Sequence, residues 1–271
     1  MALVVAHPDD EILWFSSILR RAASVIVCFL NVPERADWTD GRRRVAQAYP
    51  LPGATFLGLT ESVVFAGADW SAPVVSEYGL DVQKRRGTLP GFDADLYRSN
   101  YHTLVARLRE ALAGVDTVVT HNPWGEYGHE EHVQVHRAVT AVQKVHGFDV
   151  WFSNYCSERS YALMAKEIEG LHAQYAMVPT DVPLAREIEA LYRRNDCWTW
   201  PFDDYAYFEH ECLIRRDPTQ TVQKGAMWPL NFIRLGDAPP PQRRPVSNAP
   251  PFVRFAKHQL RKLIPGTDQP R

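Results

Sequence analysis

The sequence has no apolar run approaching the length of a membrane span, and its first residues lack the basic-then-apolar pattern of a signal peptide. A cytoplasmic location is the expectation. Cysteine is sparse: Cys28, Cys156, Cys197 and Cys212 are far apart, with no C-x-x-C spacing. That excludes a disulfide scaffold and gives no basis for a thiol nucleophile. Cys28, inside the apolar run 25–30, reads as a small core residue. An excess of one charge is also missing. With 30 Lys and Arg against 32 Asp and Glu, the formal net charge is −2, so no electrostatic footprint for nucleic acid is present. What remains is ordinary for a globular protein: 45% apolar and 23% charged residues in a chain of 271, enough for one large domain with an appendage.

The first feature of note stands directly behind the apolar run Ala2, Leu3, Val4, Val5. It is the string Ala6-His7-Pro8-Asp9-Asp10-Glu11. A Val-rich run, a Pro-containing turn and then Ile12-Leu13-Trp14-Phe15 predict a buried strand, a tight loop and a helix over 10–22. This puts an imidazole and three carboxylates at a strand's carboxyl end, where open α/β sheets bind ligands. His with carboxylates is also divalent-metal chemistry. Strands are expected at 24–30 and 54–59, with a polar loop over 31–41 and a short helical segment over 42–49. Alternating strands and helices predict an α/β fold, a mainly parallel, Rossmann-like sheet with helices on both faces. The stretch 60–95, rich in Gly, Pro, Ser and Asp, is either a lid or rim over a site or a surface excursion. A helix follows over 96–113, with Tyr97, Tyr101, Leu104, Leu108 and Leu112 on one face and Gly114 at its end.

A fourth strand over 115–120 delivers the second constellation, His121-Asn122-Pro123-Trp124-Gly125-Glu126-Tyr127-Gly128-His129-Glu130-Glu131-His132. The spacing of Val133, Val135, Ala138, Val139 and Val142 predicts a helix from about His129. His129, His132 and His136 fall within about 60° on one helical face. This is not the H-E-x-x-H of zinc proteases, since the position four after His129 is Val133. His136, four residues after His132, can ligate but reads better as a supporting or surface group, and His121 reads as a supporting group or a turn residue. Specificity comes from the two loops together.

Taken together, the two strings resemble the PIG-L/LmbE family of zinc-dependent N-deacetylases, over residues 1 to about 215. The resemblance implies Zn2+ ligands His7, Asp10 and His132, with Asp9 as general base, His129 as the oxyanion-stabilising imidazole or imidazolium, and Tyr127 as a further donor near the acetyl group. It implies removal of an N-acetyl group from an N-acetylglucosaminyl conjugate and no organic cofactor. Fe2+ or Co2+ can replace zinc in a site of two His and one carboxylate. A zinc amidase of a larger sugar-thiol conjugate, or a non-catalytic carbohydrate-binding relative, uses the same residues. Three departures from the family pattern stand out. Trp14-Phe15-Ser16-Ser17 replaces glycines at the first helix, Glu131 replaces an aspartate expected to support His129, and Arg42-Arg43-Arg44 replaces an Arg-x-x-Glu pattern.

Beyond a fifth strand over 149–155, helical segments are expected at 159–169 and 182–195. Trp198, Trp200 and Tyr205 read as core packing more than as a sugar-stacking surface. His210, between two glutamates, is a second, unconnected ligand candidate. The deacetylase domain is expected over 1–235. Six prolines over 236–251 form an extended linker, and 252–271 reads as a basic amphipathic helix and tail. Residues 252–264 either dock on the domain or touch an anionic membrane surface; the substrate that the resemblance implies is a small-molecule or, in the second case, a lipid-linked amino sugar.

Overall fold

In the computed structural model, which describes residues 1–200, 205–217, 219 and 229–235, the opening apolar run is strand β1 (Ala2–Val5). Leu3 and Val5 face one core together with Val25 and Val27 of β2 (Ser24–Asn31). Ala2 and Val4 face the opposite core with Ile26 and Cys28. Both sheet faces are covered, which is why these strands read as continuous apolar runs without polar alternation.

In chain order the remaining elements begin with α1 (Asp10–Trp14), α2 (Ala36–Gln47), β3 (Ala54–Thr60), a small hairpin β4 (Val75–Ser76) and β5 (Gly79–Leu80), and α3 (Ala94–Ala111). Then come β6 (Thr117–Thr120), α4 (Glu130–His146), β7 (Asp149–Ser153), β8 (Tyr155–Ser157) and α5 (Tyr161–Ile168). The last are β9 (Ala173–Pro179), α6 (Val182–Arg194), β10 (His210–Arg216) and β11 (Asn231–Ile233). The main sheet runs β3-β2-β1-β6-β7-β10-β9. Its first five strands are parallel, and β10 is antiparallel to both neighbours. Apolar stripes of α1, α2 and α6 enter the first core, while those of α3 and α4 enter the second. The expected α/β architecture is met, with an antiparallel addition at one edge.

The winding positions the site. From β1 the chain steps outward to β2 and β3, then returns to β6 on the other side of β1. The loops after β1 and β6 therefore face each other where the winding reverses, the crevice in which such sheets bind ligands. The Ala6 amide donates to His121 Nε2 across this crevice at 2.8 Å, and the Thr120 hydroxyl donates to the Val4 carbonyl at 2.9 Å.

Several elements depart from the expected bounds, each for a physical reason. The first helix stops at Trp14 because the next amides are claimed from afar. Ser16 and Ser17 donate their backbone N–H and hydroxyl groups to the two oxygens of Glu211 on β10, at 2.6–3.0 Å. Only a 3-10 turn, Leu19–Arg21, follows. Helix α2 begins at Ala36, inside the expected loop. The fifth strand breaks at Asn154, whose amide donates to the Cys212 carbonyl at 2.7 Å, and β8 leaves the main sheet to pair with β11. The linker 236–251 and the stretch 252–271 lie outside the described residues. Among the described residues no helix is long and apolar enough to cross a membrane.

Gly41 of α2 allows the turn after α6 to approach. A Cβ there would stand 2.3 Å from the Asn195 carbonyl oxygen and 2.9 Å from the Cys197 Cβ. Gly41→Ala should gain about 1 kcal/mol of helix propensity and lose more to the backbone clash. A net destabilisation of about 1–3 kcal/mol is expected, read as a lower Tm; an unchanged or higher Tm would contradict this packing.

Candidate metal centre

His7, Asp9 and Asp10 leave β1 in a tight turn. Asp9, the residue before α1, has φ of 95°, a left-handed conformation that costs a non-glycine residue about 1–3 kcal/mol. That backbone makes the adjacent aspartates diverge. Asp9 turns toward the segment after α6, where its Oδ2 accepts from the Thr199 amide at 3.2 Å and the Thr199 hydroxyl at 2.5 Å. Asp10 turns into the crevice. Its Oδ2 accepts from the His7 amide at 2.6 Å and its Oδ1 from the Trp14 indole at 2.9 Å. Trp14 thus fills the site's floor where glycines were expected, and its ring stacks on Tyr127 at 5.7 Å.

The loop after β6 brings the imidazoles. Gly125, at φ 70°, lets the chain fold back on itself; a Cβ would meet the His129 carbonyl at 2.6 Å. Glu126 is wholly buried, and its Oε2 accepts from His132 Nδ1 at 2.7 Å and His121 Nδ1 at 3.1 Å. Its Oε1 accepts from the Asn122 amide at 2.9 Å and from Ser153 Oγ. Burial opposes the charge, yet the two histidines hold the Glu126 carboxyl down to about 2. At the start of α4, His129 Nδ1 accepts from the Glu131 amide at 3.2 Å, capping the helix. The Glu131 carboxylate supports His7 and not His129. It accepts from His7 Nε2 at 2.8 Å and from the Ser62 amide and hydroxyl at 2.7 and 2.6 Å.

Three groups of donor atoms lie within 4.8 Å of one another among the described residues: His7 with His129 and His132, Asp10 with His121 and His132, and His7 with Glu61 and Glu131. Lone-pair accounting separates them. Each neutral imidazole has one N–H and one lone pair. His121 spends its lone pair on the Ala6 amide and its Nδ1–H on Glu126. His129 spends its lone pair on the helix cap, leaving Nε2 as a donor. Glu61 faces Arg42 Nη1 at 2.5 Å. By contrast, His7 donates Nε2–H to Glu131 and keeps Nδ1, 3.3 Å from Asp10 Oδ2. His132 donates Nδ1–H to Glu126 and keeps Nε2, 3.3 Å from Asp10 Oδ1 and buried without a hydrogen-bond partner. The set that remains takes His7 and His132 from the first group and Asp10 from the second, and its donor chemistry suits a dication: two nitrogens and one carboxylate, the two imidazoles each backed by a carboxylate.

The charges agree with that fit. Burial lowers the basicity of His7, but Asp10 and Glu131 outweigh it and push its pKa up to about 10, a proton that a dication can replace. Burial also opposes ionisation of Asp10, yet His132 and His121 hold it well below the usual carboxylate range. Asp9 is pushed up to about 8 by burial and by the Asp10 charge, against the opposing pull of Thr199 and Arg42. Burial and the neighbouring His7 and His132 keep His129 far below its ordinary value. It is therefore neutral, as its capping lone pair requires. Burial keeps the Tyr127 phenol protonated.

The structure thus gathers His7, Asp9, Asp10, Tyr127, His129 and His132 in one crevice. His136 is buried behind it, 2.7 Å from the His121 carbonyl through Nδ1. His210 is in none of the metal-capable groups. Trp200 and Tyr205 pack in the first core against Trp14, with Trp198 at its margin. The sequence reading overlooked Glu126, Thr199 and Trp14 as supports. Only Glu126 carried a signal, standing between two glycines of the second string.

No family model matches the chain. Over 159 residues it is 30% identical to the 1D-myo-inositol 2-acetamido-2-deoxy-alpha-D-glucopyranoside deacetylase of Rhodococcus jostii (strain RHA1), covering 54% of each chain. Over 162 residues it is 29% identical to the protein of the same name from Rhodococcus opacus (strain B4), again covering 54% of each. The chain thus spans about half the length of the curated relatives it matches. Among solved structures, a deacetylase from the teicoplanin biosynthesis pathway aligns with a TM-score of 0.47 at 13% identity, over 81% of this chain and 100% of that one. The resemblance read from the two strings is borne out by relatives named as deacetylases.

Glu126→Gln leaves a single oxygen where two now accept four hydrogen bonds. It should weaken divalent-metal affinity by about 10–100-fold with the circular-dichroism spectrum unchanged, measured by chelator competition. Unaltered affinity would remove Glu126 from the centre's support.

Proposed function

We propose that the chain is a metal-dependent hydrolase that removes the N-acetyl group from an N-acetylglucosaminyl-type conjugate. The observation that carries this reading is the convergence of His7 Nδ1, whose proton a dication would displace, His132 Nε2, which has no hydrogen-bond partner, and the Asp10 carboxylate, which keeps lone pairs beyond its two hydrogen bonds, beside a second buried carboxylate, Asp9. His7, Asp10 and His132 would hold the ion, Zn2+ first and Fe2+ or Co2+ as substitutes. A dication held there supplies Lewis acidity to an amide carbonyl and acidifies a water.

The chain's own groups account for the proton and charge movements. Thr199 occupies Asp9 Oδ2, so Oδ1 is the oxygen left to take the proton of the attacking water. As the C–O bond forms, negative charge grows on the former carbonyl oxygen. His129, its tautomer set by the helix cap, presents Nε2–H to that charge, and the Tyr127 phenol is a second donor. Each such donor is worth about 3 kcal/mol in the transition state. Asp9 then passes its proton to the departing nitrogen as the C–N bond breaks, giving acetate and a free amine. The 30% identity to a protein named as an acetamido-sugar deacetylase supports the substrate class.

The test is metal analysis of the purified chain followed by acetate release from a panel of N-acetylglucosaminyl compounds. One equivalent of divalent metal is expected, with activity lost on chelation and restored by Zn2+. His132→Ala should lose metal and activity together. Asp9→Ala should keep its metal and lose about 10²–10⁴-fold in rate. A wild-type chain without stoichiometric metal would overturn the reading, and an active Asp9→Ala variant would overturn the assigned base.

A further inference from the structure

The segment between β3 and α3 is fastened to the first turn of α4 by two consecutive carboxylates. Glu131 Oε1 accepts from the Ser62 amide and hydroxyl at 2.7 and 2.6 Å. Glu130 Oε1 accepts from the Ala68 amide at 3.0 Å and the Trp70 indole at 2.9 Å. The chain between these ties bulges. Val63 and Ala66 both adopt left-handed backbone, with φ of 54° and 63°, a conformation that non-glycine residues hold only where their surroundings over-determine it. The residue carried on that bulge is Phe65.

The Phe65 ring lies 5.3 Å from the His129 ring and 6.3 Å from Tyr127, centroid to centroid. The Arg159 guanidinium stands over it at 4.2 Å and is anchored 3.5 Å from Glu130, which restrains the ring by a cation–π contact. Tyr127 has a different neighbour on the Asp9 side. Trp200, adjacent in sequence to the Asp9 partner Thr199, lies 5.7 Å from the Tyr127 ring. An amide bound for attack has three substituents on its carbonyl carbon. Its oxygen points to His129 and Tyr127, and its nitrogen must reach Asp9. The remaining substituent, the acyl chain, is directed away from Asp9, toward the ring that borders both donors.

We propose that Phe65 is a specificity-determining residue that closes the acyl end of the site, so that a two-carbon acyl group is accepted and longer chains meet the ring. This rests on the deacylase reading above. The two carboxylate ties and the Arg159 stack fix the wall in advance of binding, so its length limit is built into the resting site.

The test uses alkyl hydroxamates as probes that report binding without turnover. Acetohydroxamate, butyrohydroxamate and hexanohydroxamate are titrated into the Zn2+-loaded full-length protein by calorimetry. The wild type should bind acetohydroxamate tightest, with affinity falling as the chain lengthens. Phe65→Ala should raise the affinity for hexanohydroxamate relative to acetohydroxamate by about tenfold or more, as apolar chain enters the space the ring held. Phe65→Leu should fall between, and melting curves of both variants establish that they are folded. Phe65→Ala weakening all three probes equally, or a wild type indifferent to chain length, overturns this inference and leaves the metal centre standing. A Zn2+-loaded wild type that binds none of the probes overturns the deacylase reading along with it.

Discussion

One buried carboxylate oxygen, Glu126 Oε2, accepts a hydrogen bond from each of two imidazoles, and the rest of the centre depends on it. By taking Nδ1–H of His132 and of His121 at once, it fixes both tautomers. The rings stack at a centroid distance of 3.9 Å, yet their remaining nitrogens do different work. His121 closes the crevice by accepting from Ala6, and His132 is left with a buried lone pair that no hydrogen bond takes up, facing Asp10. The other carboxylate–imidazole pair, Glu131 with His7, repeats the arrangement with the opposite ring nitrogen. Two acids behind two histidines make each ring a better donor than an isolated imidazole.

The neighbouring aspartates show how backbone conformation divides labour. Side by side in sequence, they would compete for one position if both followed ordinary helix-entry geometry. The left-handed φ of Asp9 sends its carboxylate to Thr199 while Asp10 points at the histidines. The resulting pair is one carboxyl held ionised and one pushed up to about 8. Such separation is what the proposed roles require, one group that stays charged and one that can carry a proton.

The parallel half of the sheet was readable in the sequence because its strands are buried on both faces and so appear as unbroken apolar runs. The two strings stood out because each follows such a run, whereas the roles of His7, Asp9, Asp10, Tyr127, His129 and His132 came only from the resemblance. What was not readable is whatever joins distant parts of the chain. Nothing local shows that Glu211 ends the first helix, that Thr199 holds Asp9, or that Glu131 serves His7 across the crevice instead of its neighbour His129. Trp14 stands where the resemblance leads one to expect glycine; its indole N–H, bonded to Asp10, explains its presence. The 60–95 stretch showed only its polar, aperiodic composition, since its order comes from contacts with other elements, among them the Glu130 and Glu131 ties and the packing of Val64, Leu80 and Val82.

The tie between Ser16, Ser17 and Glu211 has a consequence for how the chain reaches this state. The metal-type string leaves a ribosome well before the groups that fix its geometry, which lie 190 and 195 residues later. Until β10 and the segment after α6 are made, the first turn has no partner for the Asp9 carboxylate and nothing to stop its helix at Trp14. Contacts of such long sequence separation form late and slow folding. The crevice is therefore begun early and completed late, and a nascent chain stalled before residue 211 holds His7, Asp9 and Asp10 without the geometry.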